Sequence, residues 1–245
     1  MEDDLVLDQL KQRAEAAVPQ LPSVFAANGV QSPNGDDECE LDKDIWSHVQ
    51  TGDFQSTLIC VRLVPFAMHS TSAVIWETLS YPNKSFASQE SSNHDVTPVA
   101  HVLERLPNAC AMKFRGEIQR ESGDSMNLDY YAVVHRTELG VPYNANVFVW
   151  HSFSKLAGGD IEYSDTMWGA VTRCPSGGLE SIVTVVNQSQ LGKVGRSGDA
   201  SGVLAALMPA TGVCIESILS SADTLLLEGN FSHNSGETLV QTGDV

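Results

Sequence analysis

Between Ala109 and Leu191 the chain offers strand-like runs separated by connections too short for anything but hairpins, and this restricts the fold more than any other feature. Ala109 to Glu121 places Met112, Phe114 and Ile118 on one side and Lys113, Arg115, Glu117 and Gln119 on the other, the period-two alternation of a half-buried strand. Leu128 to Leu139, Asn146 to Leu156, Tyr163 to Cys174 and Ser181 to Leu191 follow. They are joined by turn-forming clusters at Glu121 to Ser125, Gly140 to Asn144, Ala157 to Asp160 and Pro175 to Gly178, so neighbouring strands must run antiparallel. Upstream, Thr57 to Pro65 is rich in β-branched residues and reads as another strand, and Ser70 to Leu79 as a short helix. Val99 to Leu106 has helical spacing but is short, which leaves its type open.

After the last strand the period changes. From Asp199 to Glu228 apolar residues recur as Leu207/Met208, Cys214/Ile215, Ile218/Leu219 and Leu225/Leu226, one face of a helix. About 30 helical residues span about 45 Å, longer than one face of a small sheet needs, so the helix is expected to lie across the sheet as a lid. Pro209 removes a backbone donor inside it, and a bend is expected between Leu207 and Gly212. The order predicts an α+β fold: a curved antiparallel sheet gripping a long C-terminal helix.

The chain has 245 residues, 42% hydrophobic and 18% charged, which is a globular composition able to bury a sizeable core. Its 14 basic against 31 acidic side chains give a net charge of −17. That charge opposes attraction to nucleic acid and to anionic membranes. No apolar span reaches bilayer length, so no stable membrane insertion is expected. Five widely spaced cysteines without a Cys-x-x-Cys pair, and a start lacking a basic, apolar leader, make a cytoplasmic location the expectation.

At the N-terminus, Leu7, Leu10, Ala14 and Ala17 form a helical stripe that Pro19 is expected to end. The organisation read from the sequence is an N-terminal helix over 1–18, a linker over 19–45, the main domain over 46–230 and a flexible tail over 231–245.

This element order, together with VRLVPFAMHSTSAVIWETL at Val61 to Leu79, VFVWHSF at Val147 to Phe153 and DTMWGAVTRCP at Asp165 to Pro175, resembles the helix-grip fold of the START (steroidogenic-acute-regulatory-related lipid-transfer) proteins. Within that class the segments are similar to START-like, mating-specific proteins of oomycetes. The resemblance covers about Trp46 to Asn230 and implies a lipid-sized apolar tunnel between sheet and helix.

Candidate wall residues are Met112, Phe114, Phe148, Trp150 and Trp168 on the sheet, with Leu207, Met208 and Ile215 on the helix, since aromatic and Met side chains make adaptable apolar linings. Arg136 is a candidate for orienting a ligand head group. For each apolar candidate the default alternative is ordinary core, and for Arg136 it is an exposed strand charge. On the strand carrying Trp150 both faces are apolar, and the inward one is open. No His-Glu-x-x-His, no Gly-x-Ser-x-Gly and no metal-ligand spacing among the seven histidines is present, so no catalytic residue, metal or cofactor is assigned. The expected function is non-enzymatic binding, transfer or sensing of a hydrophobic small molecule, a lipid by preference. The alternative is a protein-interaction module with a collapsed core, finding partners through its N-terminal arm.

Overall fold

The computed structural model describes residues 2–30, 45–50, 55–81, 99–119, 125–141, 143–156, 161–194 and 200–234. Eight strands among them form one curved antiparallel sheet in the order β1-β2-β8-β7-β6-β5-β4-β3. They are β1 (Ile45–Gln50), β2 (Gln55–Val64), β3 (Val99–Arg105), β4 (Ala109–Gln119), β5 (Ser125–Leu139), β6 (Ala145–Leu156), β7 (Ile161–Arg173) and β8 (Ser181–Val194). The meander β3 to β8 is the hairpin series that the short turns require. The turn between β7 and β8 uses Gly177 at φ 78, a backbone conformation that glycine adopts without steric cost. The segment of open type, Val99 to Leu106, is the edge strand β3. It is drawn into the sheet by its hairpin with β4, where the Leu106 amide donates to the Ala109 carbonyl.

Four α-helices accompany the sheet among the described residues: α1 (Glu2–Ala17), α2 (Leu21–Ala27), α3 (Met68–Ser80) and α4 (Ala200–Asn234). Helix α4 runs as one element through Pro209, which does not break it. On one face of the sheet α3 and α4 bury Ile75, Leu79, Ile215, Leu219 and Leu226 against Met112, Phe148, Val171 and Val183.

The other face is also covered. Leu7, Leu10, Ala14 and Ala17 of α1, continued by Leu21 and Phe25 of α2, pack on Ala111, Val133, Val147, Val149 and Trp168. Pro19 closes α1, as the sequence predicts, but the chain resumes as a short 3-10 turn, Val18–Gln20, and then α2. Pro19 and Pro22 each fall in the first turn of a new helical element, where a missing amide costs nothing. The apolar stripe therefore continues to Phe25, and residues 19–27, read from sequence as linker, are part of the packed structure.

Covering both faces explains why β6 is buried on both sides from Ala145 to Trp150. Phe148 and Trp150 belong to the layer under α3 and α4, while Val147 and Val149 belong to the layer under α1.

Candidate functional site

The sheet face beneath α4 is zoned along its strands. At one end it is apolar: Phe148, Met167, Gly169, Val185, Ile215 and Leu219 border a cavity of about 30 Å³, room for about one water molecule. Two residues further along β7, on the same face as Met167, the polar zone begins at Asp165.

Asp165 is buried among side chains from four strands. The Ser152 hydroxyl of β6 donates to its Oδ1. The Tyr130 hydroxyl of β5 lies 3.4 Å from both carboxyl oxygens, and the Tyr163 hydroxyl lies 3.5 Å from Oδ2. Tyr130 itself accepts from Trp150 Nε1 at 3.2 Å. On the far side Tyr163 and Ser189 of β8 are 3.2 Å apart, and the Asn187 amide donates to Ser189 at 3.0 Å. From α4, Thr211 hydrogen-bonds Tyr163, and Cys214 feels the charge of Asp165.

Burial dominates the electrostatics here. Loss of water pushes the Asp165 carboxyl up to about 7, against the lowering effect of the Tyr130 and Tyr163 hydrogen bonds. Burial, then the Asp165 charge, raise both Tyr130 and Tyr163 above the ordinary phenol range. The same two causes hold the Cys214 thiol up at about 12. No cation among the described residues contributes to the Asp165 shift.

Helix α4 is fastened to the sheet by Arg62 of β2, whose guanidinium meets both Glu216 carboxyl oxygens at 2.9 Å and Asp223 at 3.5 Å. The arginine side chain is 10% exposed, its partners 49% and 42%. That asymmetry predicts an order of costs. Arg62→Met leaves carboxylates that water can solvate and is expected to cost about 1 kcal/mol. Glu216→Gln combined with Asp223→Asn removes both carboxylate charges from a buried guanidinium and is expected to cost about 3 kcal/mol. Urea denaturation of both variants would show similar costs below about 1 kcal/mol if the clasp were merely a surface pair.

Of the residues singled out from sequence, Met112, Phe114, Phe148, Trp150 and Ile215 all lie in the layer between the sheet and helices α3 and α4. Phe114 packs edge-on against Tyr130 with centroids 5.6 Å apart, and against Trp150 at 5.9 Å, which joins the aromatic wall to the polar zone. Trp168 does not belong there: it faces α1, and its Nε1 donates to the Ala17 carbonyl at 2.9 Å. This satisfies a carbonyl that the end of α1 leaves open. Its neighbours Met167 and Gly169 take the inward positions instead. Arg136 is half-buried opposite Phe148, about 20 Å along β5 from Tyr130, and so stands apart from the Asp165 cluster. Leu207 and Met208 fall where α4 is described as backbone only, and their side chains lie outside the described residues.

Sequence reading missed Asp165, Tyr130, Ser152, Tyr163 and Arg62. One signal was present: Asp165 is a lone acid between Tyr163 and Met167 at alternating positions of a strand, a pattern that puts a carboxyl on the same face as two large side chains.

No protein-family model matches the sequence, and no curated protein is similar to it. Solved structures share its outline at low identity. An uncharacterised protein from Rhizobium leguminosarum has a TM-score of 0.36 and 18% identity over 75% of this chain and 99% of its own. Human STARD10 has a TM-score of 0.41 and 10% identity, covering 72% of each chain. The di-domain ARO/CYC BexL of the BE-7585A biosynthetic pathway has a TM-score of 0.40 and 9% identity over 71% of this chain and 50% of its own. With every TM-score below 0.5, the fold is defined by the chain's own strand order and helix placement: a curved antiparallel sheet with a long C-terminal helix across one face, an α+β helix-grip arrangement.

Proposed function

We propose that this protein binds a hydrophobic small molecule of lipid type between the sheet and α4 and releases it unchanged, acting in transfer or sensing, as the START-like resemblance implies. One observation carries the reading: a single sheet face runs from an apolar wall at Phe148, Met167 and Val185 to a buried polar group at Asp165, both beneath the same helix. An amphipathic molecule matches that layout. Burying its apolar body would supply about 25 cal/mol per Å² removed from water, and the polar end would set its orientation. The proposed setting is the cytoplasm, with no nucleic-acid partner.

A second reading, the interaction module with a collapsed core, draws support from the cavity itself, since about 30 Å³ holds no lipid unless α4 moves. In that reading partners would meet the outer side of α1, where Asp4, Asp8 and Glu15 are exposed.

Native mass spectrometry of the purified protein, before and after incubation with a lipid extract, separates the two. A retained apolar molecule of unaltered mass is the expected result. An apo mass under both conditions favours the interaction module, and a chemically altered ligand would make the protein an enzyme.

A further inference from the structure

We infer that Asp165 and the hydroxyls around it form the polar end of the ligand site and select apolar molecules whose head donates a hydrogen bond and carries no negative charge. Alcohols and amines are therefore accepted, carboxylates and phosphates refused. The inference rests on the binding reading above and names its ligand class.

The first ground is an undersupply of donors. A carboxyl group can accept about four hydrogen bonds, and burial makes each unmet one costly. Around Asp165, the Ser152 hydroxyl is the one side-chain donor at close range among the described residues, and the backbone amide of Asp165 itself also hydrogen-bonds the carboxyl. The Tyr130 contacts at 3.4 Å and the Tyr163 contact at 3.5 Å lie beyond the 2.5 to 3.0 Å of a normal O–H···O bond. Trp150 spends its indole N–H on Tyr130, and the Asn187 amide donates to Ser189. A ligand hydroxyl or ammonium entering here brings the donor that the protein leaves short.

The second ground is charge. Among the described residues, the groups that hydrogen-bond Asp165 and its hydroxyl partners, and Cys214 beside them, carry no positive charge. The buried guanidinium of Arg62 is engaged by Glu216 and Asp223, and Arg136 is at the far end of β5. An anionic head set against Asp165 would be repelled through a medium far less polarisable than water, with no cation among the described neighbours to offset it.

The third ground is continuity. Asp165 and Met167 share the inward face of β7, and Met167 borders the apolar cavity. A head at Asp165 thus leaves its tail pointing along the apolar wall.

The test uses the full chain and three probes with one tail: dodecan-1-ol, dodecylamine and dodecanoate, each displacing Nile red at pH 8.5 below its critical micelle concentration. The alcohol and the amine are expected to compete at least about tenfold more tightly than dodecanoate, a difference of about 1.4 kcal/mol. Alcohol and amine binding alike marks recognition by hydrogen bonding, whereas an advantage for the amine marks a contribution from the carboxylate charge. Asp165→Asn is expected to narrow the gap by improving dodecanoate. The ratio in the unmodified protein decides the matter even if that variant folds poorly. Equal binding of all three probes, or preference for dodecanoate, overturns the role of Asp165 and leaves hydrophobic binding intact. Failure of Nile red and every probe to bind overturns the binding reading, and this inference with it.

Discussion

A chain lacking residues 1–30 is expected to aggregate and to lose most of its cooperative melting transition. Leu7, Leu10, Leu21 and Phe25 are each at least nine-tenths buried against the sheet face of Val133, Val147, Val149 and Trp168. At about 2 kcal/mol per large apolar side chain, these four contribute on the order of 8 kcal/mol, comparable with the whole stability of a typical domain. Some of that gain is offset by the ordering of α1 and α2, which the truncated chain would be spared. The uncovered face is nonetheless a contiguous apolar surface of the kind that drives association. Size-exclusion chromatography and tryptophan fluorescence would read the result, with Trp168 emission moving to the red as its indole meets water. A monomeric, cooperatively melting fragment beginning at Ile45 would mean that α1 and α2 are dispensable and that the sequence-based boundary near Trp46 is the right one.

Stability is expected to fall as pH rises through neutrality, and Asp165→Asn should remove most of that fall. The native carboxyl is pushed up to about 7, whereas an unfolded aspartate titrates near 3.9. Between those values the folded chain holds the proton more tightly than the unfolded one. The contribution is therefore full below about pH 4, is lost as pH rises toward about 7, and stays constant above that. Three pKa units correspond to roughly 4 kcal/mol, of which roughly 2 kcal/mol falls between pH 5.5 and pH 8. That window also keeps this acidic chain clear of its isoelectric region. Urea midpoints of both proteins across the window supply the test. Asp165→Asn should gain on the unmodified protein as pH rises, and parallel curves would show that Asp165 is not the titrating group.

Much of the architecture was legible in order and period alone. Met112 and Phe114 alternate with Ala111 and Lys113 along β4, and the short turns after β5, β6 and β7 leave antiparallel neighbours as the sole option. The change to helical spacing after Leu191 announced α4. These are local properties, because connection length and periodicity act over a few residues.

What local pattern cannot carry is which face of a strand meets which helix. Along Ala145 to Trp150 every residue is buried, so alternation is silent, and the layers separate only once α1 and α4 take opposite sides of the sheet. Trp168 was read as a wall residue for that reason, and the Pro19 region as linker because two prolines resemble a break until their first-turn positions are known.

The chain by itself determined the strands, their antiparallel pairing in the meander and the long closing helix, since each follows from side-chain spacing and turn length. Tertiary structure alone decided that β2 joins the meander through β8, that α1 and α2 cover the second face, and that Asp165 gathers Tyr130, Ser152 and Tyr163 from three positions along the chain. Those outcomes depend on contacts between residues distant in sequence, whose free energy arises only when the sheet has formed and its two faces have been buried.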